Sequence, residues 1–119
     1  MKQEEGADMT TGSDGAGDKE LAVFIILQIP GREEQHKLAN AVQAQIDSWI
    51  RTCPGFLSSR LHLSNDGTRI VNHARWKDTD HYESKFLADP RKAGLDKAIA
   101  EHALAAPTAF RCSAFEPGS

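Results

Sequence analysis

Residues 69–76, Arg69-Ile70-Val71-Asn72-His73-Ala74-Arg75-Trp76, set two hydrogen-bond donors into an otherwise apolar pattern. Side chains alternate between the faces of a strand, so Ile70, Asn72, Ala74 and Trp76 share one face. The amide of Asn72 and the indole N–H of Trp76 therefore stand on one apolar surface. Burying either without a partner is costly. A cavity for a flat, oxygen-rich molecule would pair both. Each could also point an N–H at a developing oxyanion, a task for which fixed donors are suited. On residue type alone, Trp76 reads equally as core. An amide at position 72 requires a partner, whether backbone or ligand. His73 and Arg75 fall on the opposite face, which suits an interface better than catalysis.

A strand needs neighbours to hold such donors in place. With 119 residues the chain suits one domain with a respectable core. Residues 1–19 carry no aromatic residue, and Ala and Met are their only apolar types. Such a segment cannot offset its ordering entropy, so a disordered tail is expected there, with Met9 as a second candidate start. The folded domain is expected over 20–119. Leu21–Ile29 is a continuous apolar, β-branched run, expected as a strand buried on both faces. Pro30-Gly31 ends it. Leu38, Val42, Ile46, Trp49 and Ile50 form one stripe of a helix over Glu33–Arg51. Pro54-Gly55 breaks the chain after it. Phe56–Leu63 and Arg69–Trp76 flank an Asp66-Gly67 turn and predict a hairpin. Asp78 can cap a second helical region that buries Tyr82, Phe86 and Leu87, up to the Asp89-Pro90 break. Leu95, Ile99 and Ala103 mark a further helix over Arg91–Ala103, and Thr108–Phe115 gives a last strand.

The order β-α-β-β-α-β predicts an α+β, ferredoxin-like fold: a four-stranded antiparallel sheet with helices on one face. The first strand leaves apolar residues on the uncovered face, so a homodimer with sheets packed face to face is expected. Net charge is −3 and pI about 5.9, which gives no electrostatic case for nucleic acid or an anionic membrane. No apolar run reaches spanning length, and the N-terminus lacks a signal-peptide pattern. Cys53 and Cys112 have no CxxC spacing and read as small apolar fillers in a reducing, cytoplasmic setting. No GxGxxG, P-loop or facial-triad arrangement is visible, so neither a cofactor nor a metal is expected.

Four segments together resemble the antibiotic biosynthesis monooxygenases. They are Trp49-Ile50-Arg51 running into Pro54-Gly55-Phe56-Leu57-Ser58, then Asp66-Gly67-Thr68, then Val71-Asn72-His73-Ala74-Arg75-Trp76, and Phe86-Leu87-Ala88-Asp89-Pro90-Arg91. The resemblance covers roughly Gln35 to Lys97. Asn four before the Trp, with Tyr six after it, is its more specific element. It implies a dimeric α/β barrel that oxidises a phenolic or anthrone ring of an aromatic polyketide to a quinone. Molecular oxygen is the co-substrate, and flavin, haem and metal are not used. By position it implies catalytic roles for Asn72, Trp76 and Tyr82, the last as a proton relay. Trp49, Phe86 and Asp96 are expected to contact substrate. Asp96 is a departure, because the family pattern has an arginine there. Phe86 stands where haem-degrading enzymes of the same fold carry a histidine. A non-catalytic ligand carrier and an isomerase or cyclase on similar substrates are the competing functions.

Overall fold

A strand that is apolar on both sides belongs in the interior of a sheet, and β1 (Leu21–Gln28) takes that place. The computed structural model describes residues 19–118. The elements after β1 are α1 (Arg32–Ser48), a 3₁₀ turn (Ile50–Thr52), β2 (Phe56–Leu63) and β3 (Arg69–Trp76). Then come α2 (Thr79–His81), which runs straight into a π-helical segment (Tyr82–Leu87), α3 (Lys92–His102) and β4 (Thr108–Cys112). The sheet order is β2-β3-β1-β4, antiparallel throughout. This is the ferredoxin-like arrangement predicted by element order. The tail expected over 1–19 lies, Lys19 apart, outside the described residues.

Both strands of the hairpin have the predicted limits, β1 falls short by a single residue at one end and α3 by one at each end, and α1 and β4 stop three residues early. Trp49 leaves the helical region at φ −148°, so α1 ends at Ser48 and the chain tightens into the 3₁₀ turn before Pro54. β4 stops at Cys112 rather than Phe115. Cys112 pairs with Ala22 and β1 begins at Leu21, so little of the ladder is left to extend β4.

The core lies between the sheet and the helices. Leu21, Val23 and Leu27 of β1 and Ile70, Ala74 and Trp76 of β3 face Leu38, Val42 and Ile46 of α1. Gln35 is fully buried, and its Nε2 donates to the carbonyls of Ser64 (3.1 Å) and Arg69 (2.9 Å). It ties α1 to the base of the hairpin. The other sheet face stays open. There Phe24 stacks on His73 with ring centroids 4.5 Å apart, and Arg75 forks onto Glu20 at 2.6 and 2.9 Å. No helix among the described residues is long and apolar enough to cross a membrane.

The hairpin turn sets the register of β3 and hence the height of Asn72 and Trp76. Gly67 has φ +81°, a conformation that favours glycine, and a Cβ there would lie 3.1 Å from Arg32. The carboxylate of Asp66 accepts from the Thr68 hydroxyl (2.6 Å), the Ser64 hydroxyl (2.8 Å) and the Thr68 N–H (3.0 Å). These bonds, led by the Thr68 hydroxyl, lower its pKa from 3.8 to about 2. A depressed folded-state pKa contributes stability above the unfolded value, lost as pH falls through the folded one. Asp66→Asn is therefore expected to be less stable than the parent at pH 7. The gap should narrow from pH 4 downward and close only below pH 2. Urea midpoints at several pH values test this, and parallel curves would contradict it.

Candidate active site

β3 presents Asn72, Ala74 and Trp76 toward the helices, and a cavity opens there between sheet and helical layer. Its walls include Val23, Ile25, Val42, Ile46, Phe56 and Leu61. The π-helical segment adds Tyr82 and Phe86, and α3 adds Leu95 and Ile99. About 50 Å³ of the cavity is open to the centre of a water molecule, well below the roughly 300–1,000 Å³ of small-molecule sites. That inner space holds a few waters, so a larger ligand must occupy the mouth or part the walls. No charged side chain lines it.

Ser59 of β2 also lines the cavity, and its hydroxyl donates to Asn72 Oδ1 at 2.7 Å. With its oxygen engaged, the amide turns its NH₂ group to other acceptors. None exists among the described residues for Asn72 Nδ2, for Trp76 Nε1 or for Tyr82 Oη. Three residues that line one apolar space thus carry a donor with no hydrogen-bond partner among the described residues. The sequence pattern had not singled out Ser59. Its signal was present: cross-strand pairing with Ala74 puts it on the same sheet face as residue 72.

Trp76 sits at the centre of an aromatic cluster. Its ring meets Phe56 (5.3 Å, edge-on), Phe86 (5.3 Å, stacked) and Tyr82 (5.7 Å, edge-on). These contacts favour one ring orientation and so aim the indole N–H. Asp78 caps the following helix. Its Oδ1 accepts from the His81 N–H (2.8 Å) and contacts His81 Nδ1 (2.7 Å). Burial works to raise the Asp78 pKa, but these bonds prevail and lower it. The cap positions the segment in which Tyr82 and Phe86 lie on one face. That segment is π-helical rather than α-helical, a feature that periodicity did not predict. Such wide turns recur at functional sites.

Two residues expected at the site lie away from the cavity. Trp49 is buried, but its Nε1 already donates to Gln45 Oε1 at 2.6 Å and its ring stacks behind Phe86 at 5.7 Å. Arg91, pinned by Asp89 at 2.8 Å, covers the Trp49 ring at 4.9 Å. Trp49 supports the wall rather than lining it. Asp96 is exposed and pairs with Lys92 at 2.8 Å. Leu95 and Ile99, one helical turn apart, are the cavity-facing positions of α3, and Asp96 is rotated about 100° from Leu95 toward solvent.

Burial raises the Tyr82 pKa. The Arg111 guanidinium opposes that shift and Glu83 adds to it. Burial likewise raises Cys53, which keeps its thiol protonated and inert. Among the described residues, Asp78, Asp80 and His81 bring possible ligand atoms within 4.8 Å of one another. Two of the three are already bonded to each other in the helix cap. The cavity's lining suits it to shield a planar aromatic molecule seated at the mouth and to give hydrogen bonds to that molecule's oxygens.

No family model matches the chain. A monooxygenase from the gene ActVA-Orf6 of Streptomyces coelicolor, solved with the ligand nanaomycin D, superposes with a TM-score of 0.75. It is 33% identical, covering 87% of this chain and 93% of that one. Tetracenomycin-F1 monooxygenase of Streptomyces glaucescens is 37% identical over 59 residues, which are 50% of this chain and 52% of that protein. The match therefore spans about half the length of that curated relative. SnoaB of Streptomyces nogalater, described as a cofactor-independent oxygenase, superposes with a TM-score of 0.63 at 22% identity, over 83% of this chain and 98% of that one. At that identity the likeness concerns the fold alone.

Proposed function

The chain belongs to the antibiotic biosynthesis monooxygenase family, and from that premise we propose that it oxidises a phenolic or anthrone ring of an aromatic polyketide to a quinone. Molecular oxygen is the oxidant and no cofactor takes part. The observation that carries this reading is that Asn72, Trp76 and Tyr82 line one apolar cavity while no hydrogen bond among the described residues engages Asn72 Nδ2, Trp76 Nε1 or Tyr82 Oη.

Ground-state oxygen is a triplet and reacts slowly with closed-shell molecules, so a cofactor usually supplies the electron. An ionised polyphenol can supply it instead. The protein then has to favour the anion, exclude water and hold oxygen against the reacting carbon. Asn72 and Trp76 serve the first task by hydrogen-bonding the phenolate oxygen. The apolar walls serve the second. One electron passes from the anion to oxygen, and the two radicals combine to a peroxide on the ring carbon. Loss of water leaves the quinone. The ring C–H and O–H are consumed with one O₂, one oxygen atom enters the ring as a carbonyl, and the other leaves in water. Tyr82 can hand a proton to the departing oxygen and recover one from the substrate.

The open sheet face, with Ala22, Phe24, Ile26, Val71 and His73 half-buried, supports a homodimer packed sheet to sheet. Oxygen uptake tests the chemistry. Chelator-treated protein mixed with a panel of anthrones and naphthols is expected to consume oxygen with at least one of them. Binding without uptake across the panel would favour a carrier. Turnover that persists without oxygen would favour an isomerase or cyclase.

A further inference from the structure

Tyr82 is the only tyrosine of the 119 residues, and the charge set against it comes from the edge of the sheet. Arg111 of β4 pairs with Val23 of β1, and directly opposed residues of a ladder share a face. Val23 is completely buried beneath the helices, so Arg111 projects to the helical side as well. There its guanidinium lies over the Tyr82 ring, 5.1 Å from the centroid. Its Nη1 is anchored by Glu83 Oε2 at 2.5 Å. Glu83 directly follows Tyr82, so one carboxylate fixes the cation above the preceding ring. The other cation–ring pair among the described residues, Arg91 over Trp49, involves a ring outside the cavity wall.

We propose that Arg111 is a positioning residue that acts through Tyr82. It holds the ring in the cavity wall, and its charge sets how readily the phenol gives up its proton. The proposal rests on the reading of Tyr82 as the proton carrier. The charged groups facing this phenol are Arg111 from β4 and Glu83 from its own segment; the rings of Trp76 and Phe86 packed on it are uncharged. Burial disfavours the phenolate, and a guanidinium over the ring favours it. Arg111 and Glu83 therefore act in opposite directions, and removing Arg111 isolates the effect of the cation.

A lone tyrosine makes the test direct. Ultraviolet difference absorbance follows its ionisation with no competing phenol, at each pH where circular dichroism shows the native fold. In Arg111→Met the Tyr82 titration is expected to move to higher pH. Arg111→Lys should restore most of the parent position. With a turned-over substrate, Arg111→Met is expected to lower kcat by about tenfold, the scale of a weakened proton transfer, and to leave KM nearly unchanged. A titration in Arg111→Met that coincides with the parent, or moves down, would overturn the proposal even if the variant melts earlier. The titration needs no substrate, so its failure is separable from a failure to consume oxygen.

Discussion

Asn72→Ala is expected to lower kcat/KM for the aromatic substrate by about 10²- to 10³-fold, the loss seen when one oxyanion donor is removed. The effect follows from the geometry. Ser59 occupies the amide oxygen at 2.7 Å, so the NH₂ group is the part of Asn72 offered to a ligand. Alanine deletes that donor and strands the Ser59 hydroxyl, which costs about 1 kcal/mol of stability. The loss should therefore be far larger in turnover than in unfolding. Paired measurements of kcat/KM and urea midpoint check this. Equal losses in both would make Asn72 a structural residue.

Trp76→Phe is expected to lower kcat by about 10²-fold. Phenylalanine keeps an aromatic ring among Phe56, Tyr82 and Phe86 but removes the indole N–H. The smaller ring leaves a void in a site that is 1% exposed, with a stability cost of about 1–3 kcal/mol. If Asn72 and Trp76 hold the same oxygen, their losses will not add. The double variant should be only modestly worse than Asn72→Ala alone. Strict additivity would place the two donors on different substrate atoms.

Much of this site was legible in residue order. Alternation over 69–76 put Asn72, Ala74 and Trp76 on the buried face and His73 and Arg75 on the open one, as the ladder shows. The Asp66-Gly67 turn fixed the register, so both hairpin strands have their predicted limits. Long-range placement was less legible. Arg111 reaches Tyr82 because β4 pairs with β1, a neighbour far away in the chain, and local pattern carries no trace of that contact. The π-helical turn over Tyr82–Leu87 likewise depends on packing rather than on residue spacing. Asp96 lies on the exposed side of α3, paired with Lys92. The Leu95–Ile99 spacing already turned it to solvent, and its expected role came from positional likeness. Trp49 belonged to a genuine buried stripe, but helix phase alone did not reveal that Gln45 takes its N–H.

The account depends on a bound aromatic anion passing an electron to dioxygen with only the protein's own side chains around it. Turnover of chelator-treated enzyme under ¹⁸O₂, followed by mass spectrometry of the product, tests that most directly. One labelled oxygen per quinone, with the second atom in water, is the predicted outcome. Unlabelled quinone, or turnover abolished by the chelator and restored by a metal, would contradict it.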